Sequence, residues 1–98
     1  MKTYDVLLNP KAVRELKSLP VEMQKRFKEG LDKLSRWPKR SESGKDVAKI
    51  SGTSEPDLYR LNIGGYRAIY WLDEDKKEVL VEKIAPRKKA YHDLSDLL

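Results

Sequence analysis

One stretch, Leu58 to Tyr70, restricts the folds open to this chain more than any other: LYRLNIGGYRAIY. Its side chains alternate on either side of Gly64-Gly65, and a two-residue Gly-Gly loop suits the hairpin turns that need positive φ at both central positions. Such a turn sets the register. Ile63 opposes Tyr66, Asn62 opposes Arg67, Leu61 opposes Ala68, and Arg60 opposes Ile69. Strand side chains point alternately to opposite faces. Tyr59, Leu61, Ile63, Tyr66, Ala68 and Tyr70 therefore share an apolar, aromatic face that should meet helices. Arg60, Asn62 and Arg67 share the other face near the turn, with Leu58, Ile69 and Trp71 further along.

The flanking sequence supplies the rest of a small α+β domain. TYDVLL at residues 3 to 8 alternates as a strand. Asn9-Pro10 then offers a helix cap and a proline suited to the first helical position. A short helix burying Ala12, Val13 and Leu16 ends at Pro20. A second helix, Val21 to Ser35, carries Met23, Phe27, Leu31 and Leu34 at helical spacing, a stripe that reads as core. Gly30 sits beside that stripe at a cost of up to about 1 kcal/mol in propensity, which points to close packing against a neighbour. Trp37-Pro38 ends the helix and residues 39 to 46 are a polar loop. Strands are expected at 47 to 50, 58 to 63, 66 to 72 and 78 to 85. Ala90 to Leu98 reads as a short amphipathic helix or a loose segment.

The order is βααββββ: an N-terminal strand, a helical hairpin, then four mostly antiparallel strands. The helices pack on one sheet face and leave much of the other open. Residues 1 to 98 are expected to form a single domain. The register of the last strand stays open. A turn of residues 73 to 77 sets Lys83 opposite Arg67, and a turn one residue shorter sets Glu82 there.

Composition narrows the function classes. The chain has 98 residues and a net charge of +5, from 21 Lys and Arg against 16 Asp and Glu, which favours a polyanionic partner. The basic residues cluster at Arg36-Lys39-Arg40 and Arg87-Lys88-Lys89. No apolar run approaches the roughly 18 residues of a membrane span. The first residues lack the apolar core and cleavage site of a secretory signal. Without cysteine there is no disulfide framework and no thiolate nucleophile. A zinc site would rely on one histidine and carboxylates. The expected compartment is the cytoplasm, with no cofactor and no metal.

The cationic hairpin face and the following PRKKAY, Pro86 to Tyr91, suit phosphodiester chemistry. Arginine holds phosphate bidentately and stays charged. Around a scissile phosphate it can stabilise charge developing on the nonbridging oxygens. Tyr91 can donate or accept a proton, although base work requires nearby cations to lower its pKa. In RNA the nucleophile comes from the substrate, as the 2′-OH attacks the adjacent phosphate. On spacing alone, solvated strand arginines and a packing tyrosine account for the same residues.

Taken together, these residues resemble the RelE/ParE toxin superfamily of toxin–antitoxin modules, and its RelE-like branch in particular. The likeness runs over nearly the whole chain. It covers the opening strand, NPKAVRELKSLP, KISGTSEPDLYRLNIGGYRAIY and VEKIAPRKKAY. The resemblance implies a ribosome-dependent endoribonuclease that cuts mRNA in the A site by metal-free 2′-OH attack and leaves a cyclic phosphate. Arg60, Arg67 and Arg87 would grip the phosphate. Lys89 and Tyr91 match the terminal motif. Lys45 and Lys49 would hold ribosomal RNA of the 30S A site, with Asn62 and Lys88 as further RNA contacts. An acidic cognate antitoxin, forming a hetero-oligomer with the toxin, is the implied protein partner.

Some family members carry two lysines where this chain has Arg60 and Asn62. Arginine does not deprotonate, so the proton acceptor stays open between Tyr91, Lys89 and a ribosomal group. His92, the only histidine, lies beyond the motif. Two alternatives stand beside the nuclease: a ParE-like protein that poisons DNA gyrase by binding, since fold does not fix function, and a decayed toxin that only binds RNA or its antitoxin.

Overall fold

The computed structural model describes residues 4–39, 47–50 and 57–87. Their elements follow the expected order: β1 (Asp5–Leu8), α1 (Pro10–Lys17), α2 (Val21–Leu34), β2 (Val47–Lys49), β3 (Asp57–Ile63), β4 (Tyr66–Asp73) and β5 (Glu78–Pro86). The strands form one sheet in the order β1-β5-β4-β3-β2, antiparallel except for β1, which runs parallel to β5. The segment from Ala90 to Leu98 lies outside the described residues.

Local signals explain each helix. Asn9 caps α1, its Oδ1 accepting from the Ala12 amide at 2.7 Å, with Pro10 opening the first turn. The same side chain donates through Nδ2 to Glu82 Oε2 at 2.8 Å, so the cap also ties α1 to β5. Glu15 adds a second tie by accepting from the Ile84 amide at 2.9 Å. β1 pairs with β5 only as far as Leu8 and Val81, so that carboxylate satisfies a donor the sheet leaves over.

α2 buries Phe27, Leu31 and Leu34 against the aromatic face of the hairpin. Gly30 is the point of closest approach. A Cβ there would lie 2.6 Å from Ile63 Cδ1 and 3.3 Å from Leu61 Cδ2, so only hydrogen lets the helix descend this far. The same face holds Tyr59 stacked on Tyr70 with centroids 5.8 Å apart. The Tyr70 hydroxyl donates to the Pro38 carbonyl at 2.5 Å, which anchors the chain leaving α2.

Two details depart from expectation. Of the two turn glycines only Gly64 has a positive φ, at 58°, so the turn fits the class that needs it at the first central position alone. The outer sheet face is also less open than the pattern implies. Leu58 and Ile69 are fully buried there, packed with Ile50 and Trp71 in a second apolar cluster, and Arg67 and Lys83 are 8% and 7% exposed. Apolar residues on that face join one another instead of meeting water.

Candidate nucleic-acid cleavage site

The hairpin register is the one the Gly-Gly turn dictates, from Ile63↔Tyr66 through Arg60↔Ile69. Asn62 and Arg67 therefore stand side by side on the outer face. Arg67 Nε donates to Asn62 Oδ1 at 2.5 Å. Asn62 thus orients a buried guanidinium. Arg87 follows β5 directly, and its amide donates to the Gly65 carbonyl at 2.9 Å. That bond pins the start of PRKKAY to the hairpin tip. Gly65, Arg67, Pro86 and Arg87 together line an open groove of about 560 Å³. Two arginines from distant positions in sequence thus share one concave surface.

The last strand obeys neither expected register. Asp73 pairs with Glu78, which leaves residues 74–77 as the turn, and a bulge interrupts the ladder between Ile69 and Tyr70. Tyr70 opposes Val81 while Ile69 opposes Lys83, so β5 accommodates one extra residue. Arg67 consequently faces Ala85, not Lys83 or Glu82. Lys83 instead joins a row across the sheet with Ile69, Arg60 and Ala48. Arg60 is half-buried, and its Nη1 is buried with no hydrogen-bond partner among the described residues.

The remaining candidates separate. Lys49 is exposed and opposes Tyr59, which puts it on the helix-bearing face and not beside Arg60. Lys45, Lys88, Lys89, Tyr91 and His92 lie outside the described residues. Neither Tyr4 nor Tyr70 is suited to base work. Burial, then the neighbouring Tyr59, pushes the Tyr70 phenol far up, against a smaller opposing effect of Arg60. The hydrogen bond to Glu74 is the largest cause holding Tyr4 up at about 12. No cluster of three or more metal-ligating side chains occurs among the described residues.

Lys83 is the residue that sequence reasoning left undecided. Its signal was present in the spacing of β5. Val79 and Val81 are core residues two apart, but the next one, Ile84, follows at an interval of three. That break in period requires a bulge and turns Lys83 outward.

This small α+β fold is shared with toxins of toxin–antitoxin modules. Residues 6–91 match the model of the ParE toxin of type II toxin–antitoxin systems, parDE. A protein of Methanocaldococcus jannaschii carrying the toxin name RelE1 is 31% identical over 88 residues, covering 90% of this chain and 94% of the relative. The RelE–RelB complex of Pyrococcus horikoshii contains a chain 39% identical with a TM-score of 0.77, covering 90% of this chain and 99% of that one. The isolated RelE toxin of E. coli superposes with a TM-score of 0.70 at 24% identity, over 97% of this chain and 99% of that one, which speaks to the fold. The chain belongs to the RelE/ParE toxin superfamily, in its RelE-like branch.

Proposed function

We propose that this protein is the toxin of a toxin–antitoxin module and that it cleaves mRNA in the ribosomal A site. The observation that carries the reading is the groove in which Arg67 and Arg87 converge beside the hairpin tip. In the reaction the 2′-OH gives up its proton and O2′ bonds to phosphorus. The P–O5′ bond breaks, O5′ takes a proton, and a 2′,3′-cyclic phosphate and a 5′-OH remain. Arg67 and Arg87 hold the nonbridging oxygens as their charge grows, the kind of contact whose loss costs about 10²- to 10³-fold in rate. Arg60 contributes a further phosphate contact, and Tyr91 and Lys89 are the proposed proton-transfer groups. The ribosome, through 16S rRNA, supplies the substrate in position. An antitoxin like the RelB of the P. horikoshii complex is the proposed protein partner, and the charge of +5 suits an acidic one.

The match to a ParE toxin model favours a second reading, inhibition of DNA gyrase by binding. Inducing the chain in cells separates the two. Primer extension on translated mRNA is expected to show codon-positioned cuts without gyrase-linked DNA breaks. Breaks with intact mRNA would replace the first reading with the second.

A further inference from the structure

The bare backbone of the hairpin tip is covered by a cation from the helix layer. A Cβ on Gly64 would lie 3.2 Å from Arg26 Nη1 and 3.7 Å from Arg26 Cζ, with Met23 Cε also at 3.2 Å. The Arg26 guanidinium therefore rests on the turn, although its backbone belongs to α2. One Cα–Cβ bond and one Cα step separate that contact from the next residue, so Nη1 lies within roughly 9 Å of the Gly65 Cα. Gly65 lines the groove with Arg87, and its carbonyl accepts from the Arg87 amide at 2.9 Å. Arg26 and Arg87 thus flank the same two glycines from different elements. Both are exposed, so a strand of nucleic acid reaches them from outside.

Arg26 leaves its own helix partners aside. Glu22 and Glu29 stand one turn before and one turn after it, at spacings that favour ion pairs. Glu22 instead lies 4.0 Å from Lys25, and Arg26 makes no ion pair among the described residues. Its charge is held over glycine backbone and a methionine, open to an anion from outside. The placement also gives a path. The groove lies beside the turn, and Arg26 stands on the helix side of the same turn. A strand that crosses the groove past Arg87 meets Arg26 as it leaves over the tip.

We propose that Arg26 is an RNA-backbone contact, holding a phosphate of the strand where it leaves the groove across the hairpin tip. A guanidinium grips phosphate bidentately and keeps its charge, and a net charge of +5 favours a polyanion. The assignment rests on the RNA-directed reading of the groove. It makes Arg26 a binding residue for a flanking phosphate, separate from the bond that breaks.

The test uses the full chain and its Arg26→Met and Arg26→Lys variants, with folding checked by thermal melting. Methionine keeps an unbranched stem over Gly64 and removes the charge. Binding of a short single-stranded RNA, 2′-O-methylated throughout so that it cannot be cut, is followed by anisotropy across a salt series. Arg26→Met is expected to weaken binding roughly 10-fold and to flatten the slope of log K against log salt by about 0.7, one phosphate contact on a single strand. Arg26→Lys should restore the slope. An unchanged slope in folded Arg26→Met overturns the proposal, as does an unmodified chain whose affinity for this RNA ignores salt. Single-turnover cleavage on programmed ribosomes is read in parallel. There Arg26→Met should raise the toxin concentration needed for half-maximal cutting, and a loss confined to the saturating rate overturns the binding role. If the unmodified chain does not cut, the nuclease reading falls while the salt slope still decides Arg26.

Discussion

Asn62→Ala tests how the site holds its arginine. Arg67 is 8% exposed, and its Nε reaches Asn62 Oδ1 at 2.5 Å. A hydrogen bond to a charged group contributes about 1.5–3 kcal/mol, and an abandoned buried donor costs about 1–3 kcal/mol. Asn62→Ala should therefore lower stability by about 2 kcal/mol. Because Arg67 keeps its charge but loses its orientation, the cleavage step should slow by roughly 10-fold, against about 10²-fold or more for Arg67→Ala. Urea denaturation of the two single variants and the double variant gives the coupling, expected at about 1.5–3 kcal/mol. Asn62→Asp, which keeps an acceptor, should retain most of the stability. A coupling below about 0.5 kcal/mol, or full cleavage by Asn62→Ala, would refute the role assigned to Asn62.

Gly30→Ala places a Cβ 2.6 Å from Ile63 Cδ1. The gain of about 1 kcal/mol in helix propensity should lose to overpacking of about 1–3 kcal/mol. In an Ile63→Val background, which removes that methyl, the same change should become neutral or stabilising in urea titration. Tyr4→Phe should flatten the pH dependence of stability at both ends. The Tyr4 hydroxyl donates to Glu74 at 2.7 Å, and that bond is the first cause of both the raised Tyr4 pKa, about 12, and the lowered Glu74 pKa. The Tyr4 contribution is present below the unfolded value of about 10 and is lost as pH rises through the folded value of about 12. The Glu74 contribution is present above its unfolded value of about 4.3 and fades as acid protonates the carboxylate. Melting temperatures across pH that run parallel for both proteins would contradict this.

Much of the fold was legible because local rules agreed with one another. Gly64-Gly65 specified the hairpin register residue by residue, Asn9-Pro10 marked the start of α1, and Gly30 announced a close helix-to-strand approach. The misreadings came where nonlocal packing chose between local options. Treating β5 as strictly alternating hid its bulge, and with it the position of Lys83. Clustering of Leu58, Ile69, Ile50 and Trp71 on the outer face required knowing which strands stand side by side. Arg67 and Arg87 were both named from sequence, but their shared groove depends on the Arg87–Gly65 backbone bond, which no spacing rule supplies.

Single-turnover cleavage on purified ribosomes stalled with a defined codon in an empty A site puts the central claim to its most direct test. The unmodified chain should cut the mRNA at a fixed position in that codon, and folded Arg67→Ala and Arg87→Ala variants should each cut about 10²-fold more slowly or worse. Intact mRNA with the unmodified chain, or equal cutting by the arginine variants, would contradict the account.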